Sequence, residues 1–169
     1  MSEKITIRQG LDIALEGEAE KILSESSKST VYALKPTDFH GTTPKLKIKE
    51  GDKLQAGSPV FIDKYRDSIT FVSPVSGTVS KIKRGAKRKI LEIIIDADSS
   101  ISYKNFDVNN IQDKTREEIK ALLLEGGLWP FIKMRPIDII ANPKDTPKSI
   151  FISAFDSNPL APDYDFILH

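Results

Sequence analysis

The 169-residue chain contains no cysteine. This absence excludes disulfides, thiolate-bound iron–sulfur clusters, cysteine-based zinc sites and a cysteine nucleophile within the chain. Only two histidines are present, His40 and His169, and they are not spaced as metal ligands. His40 is interpreted as a turn residue. We therefore predict that the chain itself holds no metal, flavin or haem.

Excess charge and long apolar stretches are also lacking. The formal net charge is +1, which argues against nucleic-acid binding driven by bulk charge. The apolar runs are short, as at Ile93–Ile95, whereas a membrane-spanning helix needs about 20 apolar residues. An apolar content of 39% with 29% charged residues is typical of globular proteins. The chain is expected to be soluble, or peripheral if it meets a membrane.

Catalytic signatures are missing as well. The sequence contains no G-x-S-x-G elbow, Walker A loop or G-x-G-x-x-G fingerprint. Asp156, Asp163 and Asp165 follow the apolar segment SIFISAF at 149–155. They have two interpretations: ligand-binding groups at the end of a buried strand, or turn residues, with Asp156 capping a turn. The second is the more ordinary one, and no catalytic residue is assigned.

Residues 45–96 predict a compact β unit. Short stretches in which apolar residues alternate with others are separated by turns that contain Gly or Pro. The residues predicted to form its core are Leu46, Ile48, Leu54, Val60, Ile62, Phe71, Val79, Ile82, Leu91 and Ile93. Residues 1–44 are predicted to form strands and turns that pack on this unit, with one strand in TVYALKP at 30–36.

A helix should follow the β unit after a connector at 97–110. Thr115 and Glu118 form a capping box, and Ile119, Leu122 and Leu123 follow with helical spacing. Gly126-Gly127 is a helix stop. The apolar turn at 128–131 is predicted to pack the end of the helix on the sheet.

The carboxy-terminal part is predicted to begin an α/β region. Residues 136–147 are interpreted as irregular because they are rich in proline, and 149–155 as a buried strand. Residues 97–169 are thus expected to comprise a helix and the start of an α/β domain truncated at its end. The predicted fold class is mixed α+β: a biotinyl/lipoyl-like barrel-sandwich hybrid followed by the start of an α/β region.

The segment KIKEGDKLQAGSPVFIDKYRDSITFVSPVSGTVSKIK at 47–83 resembles biotinyl and lipoyl carrier domains. In those domains a lysine at a hairpin tip is acylated. The position eight residues before Pro74, where the carrier motif has that lysine, holds Arg66. A guanidinium stays protonated and cannot replace the lysine amine. Lys64 lies two positions away, so a carrier that uses Lys64 stays an alternative.

Six of the nine residues in KIKRGAKRK at 81–89 are basic. We call this segment the basic hairpin; its cations are Lys81, Lys83, Arg84, Lys87, Arg88 and Lys89. One interpretation is a solvated turn. The other is a docking surface for an anion, such as the acidic patch of a partner, lipid head groups or a nucleotide phosphate. Lys133 and Arg135, beside Trp129 and Phe131, form a second, weaker pair.

Further motifs extend the resemblance over almost the whole chain. ITIRQGLDIALEG begins near the amino terminus, the barrel motifs follow, and EGGLWPFIKMRP and SIFISAFDSNPLAPD come later in that order. In this order the motifs resemble the A-subunit family of the Na⁺-translocating NADH:quinone oxidoreductases of bacterial membranes. The related subunit of Rnf-type electron-transport complexes has a similar barrel and is the alternative. EGGLWPFIKMRP and DSNPLAP favour the Na⁺-pumping family.

The resemblance implies a peripheral subunit on the cytoplasmic face of the bacterial inner membrane. Its implied partners are the other subunits of the complex, including membrane-embedded ones, with quinone as a further candidate ligand and no nucleic acid. NADH, flavins, iron–sulfur centres and quinone are implied for the complex and none of them for this chain. Since the members of that family are longer, the chain is expected to be the amino-terminal part of such a subunit.

Overall fold

The chain divides into two compact units. One comprises Ser27–Thr146, and the other combines Met1–Ser26 with Pro147–His169. The computed structural model describes residues 6, 16–17, 20–23, 27–153, 156, 161 and 163–168. Most of the strands and turns predicted before residue 27 therefore lie outside the described residues, as does His169.

Two antiparallel sheets build the Ser27–Thr146 unit. The larger has the order β1-β7-β6-β3 and the smaller the order β2-β4-β5. The strands are β1 (Val31–Leu34), β2 (Pro44–Leu46), β3 (Lys53–Leu54), β4 (Pro59–Asp63), β5 (Thr70–Val72), β6 (Gly77–Arg84) and β7 (Ile90–Ala97). Because the turn residues divide the segment at 45–96 into short strands, the chain crosses repeatedly between the sheets.

Residues of both sheets form the hydrophobic core. Of the predicted core, Leu54, Val60, Ile62, Phe71, Val79 and Ile93 are buried, and Leu46, Ile48 and Ile82 are partly buried and pack on the core. The prediction for Leu91 was wrong, because its side chain is 39% exposed. The register of β6 against β7 shifts between Lys83 and Arg84. The shift buries Ile90 and turns Leu91 outward.

Strand β4 is buried on both faces. Val60, Phe61, Ile62 and Asp63 are all buried in succession. Alternation predicts burial on one face only, so Phe61 was missed. Its ring stacks on Phe71, with 4.3 Å between the ring centroids.

Gly77 lies where β6 runs closest to its neighbours. It is paired with Leu54 of β3 and Ala97 of β7. A Cβ atom at this position would lie 2.9 Å from the Ala97 Cα and closer still to the Asp96 carbonyl oxygen. Gly77 is therefore a glycine that the sheet needs for space.

The connector after β7 runs back along the barrel. The Ser102 amide donates to the Ser76 hydroxyl at 2.9 Å. The Ala56 amide donates to the Ser102 carbonyl at 2.9 Å, and the Lys104 amide to the Ala56 carbonyl at 2.8 Å. The connector is thereby fixed to the barrel before the helix begins.

Helix α1 (Arg116–Glu125) begins and ends where the sequence predicts. The Thr115 hydroxyl accepts from the Glu118 amide at 3.3 Å, and the Glu118 carboxylate accepts from the Thr115 amide at 2.7 Å. At the other end Gly127 has φ +71, and a Cβ there would lie 2.6 Å from Val72 of β5. Gly127 thus ends the helix and lets it approach the sheet.

Replacing Thr115 with alanine is expected to lower the free energy of unfolding by about 1 kcal/mol, because the cap of the first turn loses its side-chain hydrogen bonds. Chemical denaturation would measure the change. Ser99→Ala, at an exposed position outside helices and strands, is the control and should have no measurable effect. Equal stability of the two variants would contradict the role of the cap.

The cap also predicts a dependence on pH. Hydrogen bonds from the Thr115 hydroxyl and amide hold the pKa of Glu118 below its ordinary value. A carboxylate whose pKa is lower in the folded state than in the unfolded state stabilises the fold. This stabilisation is complete above the unfolded-state pKa and is lost as the pH falls through the folded-state pKa. The stability difference between wild type and Thr115→Ala should therefore shrink on acidification.

Two predictions about the carboxy-terminal part were wrong. Residues 136–147 are not wholly irregular, since β8 (Lys133–Met134) and β9 (Ile139–Ile140) form an antiparallel hairpin. Residues 149–153 are exposed and not in a strand, and Phe151 is 90% exposed. A β-strand needs a neighbouring strand for its backbone hydrogen bonds, and the described residues of that unit contain none. Their only regular element is the short helix α2 (Tyr164–Leu168). Residues 154–155 lie outside the described part of the chain.

Within the described part of the chain, no helix has the length and apolar composition required to cross a membrane.

Candidate functional site

The turn between β4 and β5 contains residue 66, where the sequence motif of carrier domains has its lysine. Arg66 lies in this turn, and its side chain binds inward. Its Nε donates to Asp63 Oδ2 at 2.8 Å, and its Nη2 lies 2.6 Å from the same oxygen. Its Nη1 donates to the Ile140 carbonyl at 2.8 Å. Asp63 is 1% exposed, so the ion pair lies largely away from water.

We call this arrangement the Arg66 clamp: Arg66, Asp63 and the Ile140 carbonyl. It joins the β4–β5 turn to the β8–β9 hairpin, although 74 residues separate Arg66 from Ile140. A planar guanidinium can bind a carboxylate and a carbonyl together, which a lysine ammonium does less well. The residue in the carrier-lysine position is therefore part of the internal structure, and only the signal D-x-x-R at 63–66 could have suggested it.

Lys64 is the other candidate for acylation in this turn. It is exposed, and its ammonium nitrogen lies 5.7 Å from the centroid of the Tyr65 ring. Its backbone amide donates to the Thr43 carbonyl at 2.7 Å. Lys64 thus lies in the same turn as Arg66, two residues before the position where the carrier motif has its lysine.

We expect no biotin or lipoate on the wild-type chain, and none on the Arg66→Lys variant. In the wild-type chain, Arg66 replaces the lysine and is held by the clamp. In the variant, the lysine is supplied, but modifying enzymes recognise the rest of the tip as well. Intact mass of both proteins, expressed with a biotin and a lipoate ligase, would test this. A biotinyl carrier domain in the same cells is the positive control. A mass increase equal to biotin or lipoate on either protein would contradict the prediction.

The basic hairpin consists of the end of β6 and the turn that leads to β7. All six of its cations are exposed. Lys83 Nζ lies 2.8 Å from Glu92 Oε2, and its hydrogen bond and charge hold the pKa of Glu92 below its ordinary value. The other five cations have no carboxylate within 4.0 Å among the described residues. The hairpin therefore presents a group of unneutralised positive charges to solvent.

The second basic pair, Lys133 and Arg135, is partly neutralised. Arg135 Nη1 lies 3.4 Å from Asp138 Oδ1, while Lys133 is exposed on β8. Trp129 donates from its Nε1 to the Ala141 carbonyl at 2.8 Å and packs on the core. Phe131 is 70% exposed, at 6.3 Å from the Phe39 ring. The turn packs the helix end on the sheet, as predicted, through Trp129 and the buried Pro130.

The remaining polar candidates show no catalytic arrangement in the described part of the chain. His40 is exposed in a turn. Asp163 Oδ2 lies 2.6 Å from the Lys21 ammonium, and its Oδ1 accepts from the Phe166 amide at 3.2 Å. The side chain of Asp165 lies outside the described part. Among the described residues, no three His, Cys, Asp or Glu side chains are grouped as metal ligands.

One polar depression lies beside the start of α1. The residues that line it are Asp107, Asn109, Asn110, Asp113, Lys114 and Glu118. The Asn109 amide and the Lys114 ammonium hold the pKa of Asp107 below its ordinary value. Glu118 is used by the helix cap. These two carboxylates stay ionised near neutral pH, so neither is poised to transfer a proton.

Two family models match the chain in succession. The model described as the NqrA N-terminal barrel-sandwich hybrid domain matches residues 5–98. The model described as the NqrA second alpha/beta domain matches residues 114–169. The two-sheet unit thus has the predicted barrel-sandwich hybrid fold.

Curated proteins give the same result. The chain is 34% identical over 167 residues to the A-subunit of the Na(+)-translocating NADH-quinone reductase of Actinobacillus succinogenes. It is 31% identical to the corresponding protein of Glaesserella parasuis and 32% identical to that of Vibrio vulnificus. These alignments cover 98% of the chain but only 37% to 38% of each relative. The chain therefore spans less than two fifths of the length of these relatives.

Proposed function

This chain belongs to the NqrA family, and from that premise we propose that it is the amino-terminal docking part of the NqrA subunit in a Na⁺-translocating NADH:quinone oxidoreductase. The observation that carries the proposal is the succession of two NqrA domain matches over 5–98 and 114–169. The curated relatives bear the name of that subunit. The proposed role is structural and concerns assembly, within respiratory electron transfer coupled to sodium transport.

The two alternatives have less support. The relatives from Actinobacillus, Glaesserella and Vibrio are named as subunits of Na(+)-translocating NADH-quinone reductases, not of Rnf-type complexes. A carrier domain needs an accessible lysine at the hairpin tip, and the clamp holds Arg66 there. The barrel is therefore used as a scaffold, and Arg66 in the β4–β5 turn joins this turn to the β8–β9 hairpin.

In this proposal the subunit lies at the cytoplasmic face of the inner membrane, beside membrane-embedded subunits. NADH, flavins, iron–sulfur centres and quinone act in the complex. The chain has no cysteine, and iron–sulfur clusters are held by cysteine thiolates, which supports placing the iron–sulfur centres in other subunits. A quinone-related role of the complete subunit belongs to the same proposal.

Deletion of the gene tests the proposal directly. Membranes of the deletion strain should lose Na⁺-stimulated oxidation of NADH by quinone, and expression of the full-length subunit should restore it. Oxidation of NADH by a Na⁺-independent dehydrogenase in the same membranes is the control and should persist. Unchanged Na⁺-stimulated activity in the deletion strain would show that the chain serves another complex.

The basic hairpin is the proposed docking surface. Replacing its six cations by glutamine in the full-length subunit should weaken co-purification with the membrane subunits. Raised salt should have a similar effect, since screening reduces attraction between exposed charges. The fold should barely change, because exposed charge pairs contribute about 0–1 kcal/mol. A neutralised subunit that assembles normally at all ionic strengths would show that the hairpin does not dock on the membrane subunits.

A further inference from the structure

The basic hairpin is the segment with the highest density of basic residues in the sequence. The complete sequence has 25 basic and 24 acidic residues, and six of the basic ones lie within 81–89. Without the basic hairpin, the chain would carry 19 basic against 24 acidic residues, a net charge of −5. A negatively charged surface would therefore attract the hairpin and repel much of the rest of the chain, which favours one orientation.

The hairpin also keeps these charges apart from the anions of the chain. Lys83 is the one member paired with a described carboxylate, that of Glu92. Two hydrogen bonds close the turn. The Gly85 amide donates to the Lys89 carbonyl at 2.8 Å, and the Lys89 amide donates to the Ala86 carbonyl at 3.1 Å. This closed turn places Lys87 and Arg88 at the tip, where both are exposed.

The backbone of the tip is unfavourable for these two residues. Lys87 has φ 53 and Arg88 has φ 59. Such left-handed positions in a hairpin turn are usually occupied by Asn or Gly. Cations at these positions cost local stability, and an observed outlier of this kind is a reason to look for a functional gain.

The composition of the surface distinguishes between two kinds of anionic partner. Protein interfaces need apolar or aromatic anchors at their centre and are depleted of lysine. No aromatic residue occurs from Lys81 to Glu92. Leu91, 39% exposed, lies over Gly85, within 3.0 Å of the point where a Cβ would stand. Many cations without an anchor fit a diffuse anionic surface, such as a bilayer with anionic lipids.

We propose that the basic hairpin binds the anionic head groups of a lipid bilayer through Lys81, Arg84, Lys87, Arg88 and Lys89. This inference deepens the proposed function and rests on it, because a subunit of a membrane complex lies near a bilayer. Each cation close to an anionic membrane changes the partition coefficient about fivefold. Together the five cations hold the protein in one orientation at the membrane.

Vesicle sedimentation with the 169-residue chain tests the inference. One set of vesicles contains equal parts of phosphatidylglycerol and phosphatidylcholine, and the other phosphatidylcholine alone. The hairpin variant replaces Lys81, Lys83, Arg84, Lys87, Arg88 and Lys89 with glutamine. The matched control replaces six lysines elsewhere that are not buried, Lys28, Lys45, Lys47, Lys49, Lys53 and Lys64. Both variants have the same net charge, and circular dichroism would check that both are folded.

We expect the wild-type chain to bind only the anionic vesicles, and raised salt to release it. The hairpin variant should lose at least about 100-fold in partition coefficient, and the control far less. Equal losses in the two variants, binding to both kinds of vesicle, or no binding would each overturn the inference. If the chain ignores vesicles while the hairpin variant of the full-length subunit fails to assemble, the partner is an acidic protein surface. In that case the lipid inference is wrong and the proposed function stands.

Discussion

Replacing Arg66 with alanine is expected to lower the free energy of unfolding of the Ser27–Thr146 unit by about 3–5 kcal/mol. The Asp63 carboxylate, 1% exposed, would lose its charged partner. The Ile140 carbonyl would lose its hydrogen bond from Nη1. Removing one member of a buried ion pair costs more than the pair itself contributes, because the remaining charge stays away from water. Chemical denaturation followed by tryptophan fluorescence would report the loss, since Trp129 packs on the core.

Two further variants separate the clamp from a general effect of the turn. Lys64→Ala changes an exposed cation in the same turn and should alter stability by no more than about 0.5 kcal/mol. Adding Asp63→Asn to Arg66→Ala removes the buried charge and should recover about 1–2 kcal/mol. If Arg66→Ala is as stable as Lys64→Ala, or if Asp63→Asn gives no recovery, the clamp does not hold the hairpins together.

Replacing Gly77 with alanine should cost about 3 kcal/mol or more, because overpacking at this site meets backbone atoms that cannot rotate away. The added methyl group would lie 2.9 Å from the Ala97 Cα. Strand β6 would have to move away from β7, which breaks pairs such as Thr78 with Asp96. Loss of protection of these amides in hydrogen exchange would locate the damage.

Gly51→Ala is the matched control for that variant. Gly51 has φ +90, but nothing lies within 4 Å of its added Cβ. Only backbone strain is expected there, about 1–2 kcal/mol. The prediction for Gly77 fails if both variants lose the same stability, or if the amides of β6 and β7 keep their protection.

Local patterns in the sequence predicted the elements that depend on neighbouring residues. The capping box at Thr115 and Glu118 needs only three residues of spacing and is present. The strands between glycine and proline turns are present for the same reason. The basic hairpin is also where the sequence placed it, because a run of cations around Gly85 cannot be buried.

Features that depend on distant residues were not predictable in this way. Phe61 is buried because β4 has covered faces on both sides, which alternation within one strand does not reveal. Leu91 is exposed because of a register shift between two strands. The Arg66 clamp needs the Ile140 carbonyl, 74 residues along the chain. The apolar segment at 149–155 was predicted to be a buried strand, but its described residues are exposed and not in a strand. An apolar pattern alone does not supply a neighbouring strand.

The pairing of β1 with β7 also has a consequence for synthesis on the ribosome. Leu34 pairs with Ile93, and Val31 with Asp96, so about 60 residues separate the partners. At a synthesis rate of about 5–20 residues per second, β7 emerges about 3–12 s after β1. During that interval Tyr32 and Leu34, which later pack on the core, have no completed core to join. The nascent chain therefore exposes its first strand for seconds, a period in which chaperones can bind it.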